Sequence, residues 1–357
     1  MTGEDVARGR LVDVSRPVDE GRSTEDPGLA YGSRAWQTPA DSRQMQALVS
    51  RCWREDWPDV HLHAGDVDWW TMHALGRTPG LGERIRLWFA GEPDATELVA
   101  FGWYGPPSDA DLTILPAHRT TALIGPIVAW IDGQVARFGL APDPDAAEPT
   151  AAEPPAPLRI WTAESDAPQM AALIKLGFGP GPEPGFNHFV GHLGRLDLGS
   201  AELPGGYALT TVATDADIAA RVTAGRAAFQ GSTMTVEKYR FCRATPLYRP
   251  ALDTLITAPD GSVAAFALAW LDPLTLAVEL EPVGTHPDHQ RRGLGSAVCR
   301  AALRVARAMG GQQVLVAADG GNPAAHGLYA SLGLGLAARI IAFRRSPAAD
   351  RGSSAAL

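Results

Sequence analysis

The sequence predicts an α/β protein of two tandem domains, and three observations carry that prediction. The chain has 357 residues, more than one domain usually holds. From about residue 205 to 345, strand-like and helix-like runs follow one another in the order β-α-α-β-β-β-α-β-α-β. A stretch of the first half, LTILPAHRTTALI (112–124), aligns with VGTHPDHQRRGLG (283–295) of the second, so the chain repeats itself.

Composition bounds the function. Hydrophobic residues make up 45% and charged ones 20% of the chain, the balance of a globular protein. A formal charge of -9 argues against the phosphate backbone of nucleic acid as the main partner, which needs a basic face. The three cysteines, Cys52, Cys242 and Cys299, form no CxxC pair. A reducing compartment is expected, with neither a disulfide framework nor a metal site. No apolar run reaches membrane-spanning length and MTGEDVARGR lacks the apolar core of a signal peptide, so a cytoplasmic location without membrane contact is expected.

Taken in order, residues 1–33 are polar, punctuated by Gly and Pro, and expected to be disordered, as is a flexible tail over 346–357. Residues 34–198 form the first domain. It carries an insertion at 141–157, APDPDAAEPTAAEPPAP, whose six prolines, six alanines and four acids describe an extended, solvated spacer. The boundary falls near 197–205, and the second domain spans 203–345. Within it YALTTV (207–212) reads as a strand, and 215–229 and 236–243 as helices. Two β-rich runs flank Pro259-Asp260-Gly261, a hairpin signature. LAVELEPVGT (276–285) is a strand interrupted by Pro282. From Leu294 a helix places Leu294, Val298, Ala301 and Val305 on one face and Arg300, Arg304 and Arg307 on another. A strand at 312–318, a helix at 323–333 ending in glycine and a strand at 339–345 complete the order.

Gly293 and Gly295 stand where that strand-to-helix junction begins, although glycine inside a helix costs about 1 kcal/mol relative to alanine. Such glycines suit a phosphate cradle at a helix N-terminus. A Walker loop would need a lysine after Gly295, where Ser296 stands, and a GxGxxG fingerprint would need glycine at Val298. The run Gln290-Arg291-Arg292-Gly293-Leu294-Gly295 instead resembles the Q/R-x-x-G-x-G/A signature of the GNAT superfamily of acyl-CoA-dependent N-acyltransferases, and Val283-Gly284-Thr285-His286-Pro287 stands where that family often carries V-x-V-x-P. The resemblance covers about 205–345 and implies a twisted mixed β-sheet flanked by helices in each domain. It also implies acetyl-CoA as acyl donor. The backbone from Gln290 through Arg291, Arg292, Gly293, Leu294 and Gly295 to Ser296 would hold the pyrophosphate, Val283 and Thr285 would pair with pantetheine, and Asn322 would contact the cofactor arm.

Acyl transfer to an amine needs a deprotonated nucleophile and a protonated leaving thiol. Period two places Glu279 and Glu281 on one strand face with Val283 and Thr285. The resemblance implies Glu279, eleven positions before Gln290, as general base, with Glu281 as an alternative that binds the acceptor's ammonium. It implies Tyr329, seven residues after Asn322, as general acid. His286 and His289 are expected to be solvated or capping. The family's acceptor lid corresponds to Phe229-Gln230-Gly231-Ser232-Thr233-Met234 with Tyr239 on the next helix, which nominates Gln230, Thr233 and Tyr239 for the acceptor.

In the first copy Ala122 and Ile124 replace the two glycines, Ser108 the first glutamate, Leu173 the tyrosine and Asp166 the asparagine. The two blocks lie 171 and 156 positions apart, a 15-residue excess that places the spacer inside the first copy. The first copy therefore resembles a GNAT domain that has lost its cofactor loop. Nine of the ten tryptophans lie in it, most expected in the core. The expected function is N-acetyl transfer to a primary amine of a small molecule by direct attack in the second domain of a monomer or homodimer. The rivals are an aminoacyl-tRNA-dependent transferase of the Fem type, against which acidity and the intact CoA loop count, and a non-catalytic acyl-CoA sensor.

Overall fold

The computed structural model describes residues 30–91, 97–139, 157–199 and 202–345. The tail from 346, the spacer up to 156 and the first 29 residues lie outside the described residues. In the first half the order is β1 (Tyr31–Ala35), α1 (Pro39–Asp56), α2 (Ala64–Ala74), α3 (Leu81–Arg84), β2 (Ile85–Ala90), β3 (Leu98–Gly105), β4 (Asp109–Ile114), α4 (Thr121–Phe138), β5 (Leu158–Ala163), α5 (Ala167–Lys175), β6 (Gly179–Pro180) and β7 (Phe186–His192). The second half repeats it with β8 (Ala208–Thr211), α6 (Asp215–Ala228), α7 (Val236–Arg243), β9 (Asp253–Thr257), β10 (Val263–Leu271), β11 (Ala277–Thr285), α8 (Leu294–Ala308), β12 (Gln313–Asp319), α9 (Pro323–Ser331) and β13 (Gly335–Arg345). No helix among the described residues is long and apolar enough to cross a membrane.

The expectation of disorder through residue 33 is corrected by β1. Tyr31 pairs with Ala90 in the antiparallel β1–β2 ladder, and its ring leans on the core of the first half. Edge pairing plus an aromatic anchor is enough to order a chain end.

The sheets of the two domains join edge to edge. The strands form one mixed sheet in the order β1-β2-β3-β4-β5-β13-β7-β12-β11-β10-β9-β8, with β6 on β13. Each copy's last strand has crossed to the other: β13 pairs with β5 (Phe343 opposite Ile160), and β7 pairs with β12 (Val190 opposite Leu315). The sequence boundary near 197–205 therefore does not separate two bodies in space. The arginine face of α8 holds the connecting segment, since Arg304 donates to the carbonyls of Leu198 and Gly199 at 2.9 and 2.7 Å.

At the centre of the second half β10 is apolar throughout because both its faces are covered. Ala265, Ala267 and Ala269 make the shallow face on which Leu294, Val298 and Ala302 of α8 sit. Phe266, Leu268 and Trp270 fill the other face beneath Ile218 and Val222 of α6 and Tyr239 of α7, and Trp69 and Met72 of the first half's α2 join that same cluster. This inter-half contact is close. A β-carbon at Gly65 would stand 2.5 Å from Trp270 Cγ, nearer than any real contact, so Gly65 lets the start of α2 rest on the indole. Gly65→Ala must push α2 off the second half; a loss of about 1–3 kcal/mol is expected for such overpacking, read as a lowered midpoint in denaturant unfolding.

Candidate active site

The parallel β11–β12 ladder ends at Glu279 opposite Leu315. Beyond it the strands part, and a cavity of about 590 Å³ opens between Leu280–Val283 on one side and Ala317–Asp319 on the other. Glu281, Val283, Asn322 and Tyr329 line it, together with Gln230 of the α6–α7 loop and Trp69 and His73 of α2. The strand splay, the lid loop and the first half thus meet at one cavity.

The strand phase read from the sequence is corrected by a bulge. Leu280 stands opposite Ala269 but Val283 opposite Ala267, so β11 takes three steps where β10 takes two. Glu279, opposite Trp270, consequently faces the α2 side, whereas Val283 shares the α8 face with Leu280. Glu281 occupies the bulge itself, on the cavity wall and hydrogen-bonded to Asp66 and Trp69.

Glu279, expected as the base, is 2% exposed and lies outside the cavity lining. Its Oε2 lies 3.5 Å from His63 Nδ1. His63 caps α2: Nδ1 accepts the Gly65 amide at 3.0 Å and Nε2 meets the Ala277 carbonyl at 3.2 Å, so the proton belongs on Nε2. Burial holds this imidazole down to about 4. Asp66, the residue at the third helical position of α2, accepts the His63 amide at 2.8 Å and closes the capping box. Oxygens of Asp66, Glu279 and Glu281 all lie within 4.8 Å of one another. Three carboxylates so close cannot all be ionised. Burial first, and then the Glu281 charge, pushes Glu279 far upward. Asp66 is pushed far upward by burial and then by both glutamates. Burial also raises Glu281, against the hydrogen bond it receives from Asp66. Of the three, Glu281 is the one that lines the cavity.

Tyr329 is buried against Phe189, ring centroids 5.8 Å apart, and reaches the cavity wall. Burial, then the Cys299 and Glu281 charges, raises its phenol, so it keeps its proton.

The loop before α8 has the backbone expected of it. Arg291 and Gly293 have φ of 61° and 76°, and Gly293 serves as an N-cap that makes no side-chain hydrogen bond. The first amides of a 15-residue helix are thus left as donors. Gly293 is required by its conformation, since a β-carbon there would meet nothing within 4 Å. At Gly295 a β-carbon would touch Leu328 and Thr285 at an ordinary 3.4 Å, so the protein's own packing does not demand glycine there. Gln290, Arg291 and Arg292 are exposed, while the Leu294 side chain is buried in the core. Of Leu294 itself, only the backbone amide is left for a ligand. Ser296 Oγ accepts from Arg300 Nε at 3.3 Å. Asn322 caps α9 through a bond from the Ala325 amide at 3.1 Å. His286 Nδ1 accepts from the Asp288 amide at 3.3 Å, and His289 meets the Tyr207 hydroxyl at 3.0 Å.

Two acceptor assignments do not survive. Tyr239 is fully buried and donates its hydroxyl to Asp253 at 2.6 Å, away from the cavity lining. Thr233 turns to the outer face of the loop, where its Oγ1 accepts from Arg77 at 2.6 Å, and Ser232 takes its place on the cavity wall. Sequence reasoning missed Asp66, His63, His73 and Arg221. The Trp69-Trp70 pair was a signal for the α2 wall, and Trp69 does line the cavity.

In the first half the equivalent position is closed. The loop at 116–120 makes no left-handed turn, and Thr120 caps α4 with φ -115°. Arg119 fills the space, paired with Asp56 at 2.5 Å and Asp166 at 3.2 Å. What remains is about 30 Å³.

Residues 226–334 match the family described as Acetyltransferase (GNAT) family. Among curated relatives, the chain is 29% identical over 245 residues to a mycothiol acetyltransferase of Kineococcus radiotolerans, covering 67% of this chain and 73% of the relative. It is 32% identical over 155 residues to a mycothiol acetyltransferase of Clavibacter michiganensis, covering 43% and 50%. Among solved structures it resembles a tandem GNAT protein from the clavulanic acid biosynthesis pathway with a TM-score of 0.62 at 16% identity, over 90% of this chain and all of that one. It also resembles a GCN5-related N-acetyltransferase from Sphaerobacter thermophilus with a TM-score of 0.59 at 21% identity, over 88% and 95%. At these identities the structural likenesses speak for the fold.

Proposed function

We propose a division of labour within this chain, which is an acetyltransferase of the GNAT family with two tandem copies of the fold: the second half holds acetyl-CoA and acetylates the primary amine of a small molecule, while the first half walls the acceptor site. The observation that carries the reading is the cavity itself, which joins the strand splay to Glu281, Tyr329 and α2. The names of the curated relatives support a small-molecule acceptor.

The residues present fit acetyl-CoA in the second half and not in the first. Amides from Arg291 to Ser296 at the uncapped start of α8 suit a pyrophosphate, whereas the Gln290 amide is spent on the Pro287 carbonyl at 3.3 Å. The edge of β11 at Val283 and Thr285, freed from β12, suits a pantetheine arm. Asn322 and Tyr329 line the route. Bound there, acetyl-CoA supplies the activated acyl group. Glu281, its charge shared with Asp66, attracts the acceptor's ammonium and takes its proton at a carboxylate oxygen, leaving a free amine. Trp69 and the lid exclude water from that pair. Tyr329 Oη, protonated, is the donor available to the departing sulfur. Each positioned proton-transfer group contributes about 10²–10⁴-fold.

The test is a panel of amine metabolites with acetyl-CoA, reading free thiol and the acetylated amine by mass spectrometry. Stoichiometric thiol and N-acetyl product support the reading. Acetyl-CoA binding without thiol release for any amine favours the non-catalytic sensor.

A further inference from the structure

One charged group of the cavity has no part in the proposed proton transfer. Arg221 of α6 lines the same cavity as Glu281 and is 2% exposed. Its guanidinium lies over Phe266, Cζ 3.4 Å from the ring centroid, with the Tyr239 ring at 5.5 Å. Stacking covers the face of the cation and leaves its edge for hydrogen bonds. Yet Nε and Nη2 are buried without a partner. A buried cation without a hydrogen-bonded counter-charge is costly.

The neighbouring carboxylate does not supply one. Asp253 spends Oδ2 on the hydroxyls of Tyr239 and Tyr248, both at 2.6 Å, and its Oδ1 is unpartnered. Burial raises its carboxyl and the Arg221 charge lowers it, more than either tyrosine does, but no hydrogen bond joins the two side chains. The other ionisable groups of the cavity wall do not answer it either. Glu281 is engaged with Asp66 and Trp69, Asp319 accepts from the Gly321 amide at 2.7 Å, and His73 is kept neutral by burial and by Lys238 and Arg77. Room has been left at the guanidinium. Gly225, one turn further along α6 and also on the cavity wall, would bring a β-carbon to 2.9 Å from Nη1 were it any other residue.

We propose that Arg221 receives the anionic oxygens of the acceptor, so that the acceptor is a small amine that also carries a carboxylate or phosphate group. This deepens the acetyl-transfer reading and rests on it. Arg221 lies on the Phe266 face of the sheet with α2, opposite the face that carries α8. The anion is therefore the acceptor's and not the cofactor's. Glu281 and Arg221 would hold the two ends of a zwitterion, with the amine at the carboxylate and the acid at the guanidinium.

Ethanolamine, L-serine and O-phosphoethanolamine form a matched set, sharing one amine and differing in the acidic group. Each is titrated calorimetrically into the enzyme saturated with CoA, for the wild type, Arg221→Met and Arg221→Lys. The wild type is expected to bind one of the anionic amines about 10- to 100-fold more tightly than ethanolamine, the range for charge-assisted hydrogen bonds; which of the two it prefers identifies the acid. Arg221→Met should abolish the preference with CoA affinity unchanged. Arg221→Lys, which keeps the charge and loses the fork, should retain part of it and serves if the methionine variant is unstable. Equal binding of all three, no binding of either anionic amine at millimolar concentration, or a preference that survives in Arg221→Met overturns the assignment. Failure of the acetyl-transfer reading appears separately, as absent thiol release.

Discussion

Glu281→Gln is expected to lower kcat/KM for the acceptor by about 10²–10⁴-fold, whereas Glu279→Gln should cost far less. The contrast follows from placement: Glu281 stands on the cavity wall and Glu279 behind it beside His63. The residual rate of Glu281→Gln should climb with pH as free amine becomes more abundant, since an alkylammonium gives up its proton only near pH 10. Steady-state kinetics across pH with an identified acceptor check this, and a wild-type rate in Glu281→Gln would return the role to Glu279. The Glu279 variant has a second signature. Burial raises the Glu279 carboxyl in the folded state, so the folded protein binds a proton more readily than the unfolded chain, and the wild type loses stability as pH rises from about 4.3, the unfolded value. Glu279→Gln removes that loss. It should be more stable than the wild type at neutral pH, with the advantage vanishing as pH falls toward about 4.

Tyr329→Phe should lower kcat by about 10²–10⁴-fold and leave acetyl-CoA affinity within a few-fold. The phenyl ring keeps its contact with Phe189, so stability should hardly move; only the proton-bearing oxygen is lost. Comparing kcat with the calorimetric dissociation constant separates the two effects. Unchanged kcat would mean that the departing sulfur takes its proton from elsewhere.

Much of the second half is legible because its signals are local. The Pro259-Asp260-Gly261 turn, the apolar stripe of α8 and Gly293 act over a few residues, and the elements they foretell differ from the observed ones mainly at their ends. The first half's closed loop could likewise be read from Ala122 and Ile124, although the closing agent, Arg119 on Asp56 and Asp166, could not. What escaped is non-local. The crossing of β7 and β13 leaves no mark on either strand, because a strand reads the same whichever partner it pairs with. The bulge at Glu281 and Pro282 slips the period by one residue, enough to turn Glu279 away from the face of Val283. Asp66 reads as a capping residue, which it is, and only tertiary packing brings it to Glu281. Tyr239 shows why an amphipathic aromatic misleads: its polar tip serves a buried aspartate as readily as it would a ligand.

The claim that one half binds and transforms while the other only walls the site is tested most directly by calorimetric titration of acetyl-CoA into the wild type, Gly293→Val and Ala122→Gly. Gly293 sits at φ 76°, which a β-branched residue resists. One site per chain is expected in the wild type and in Ala122→Gly, and none in Gly293→Val. Two sites in the wild type, or one that persists in a folded Gly293→Val protein, would contradict the account.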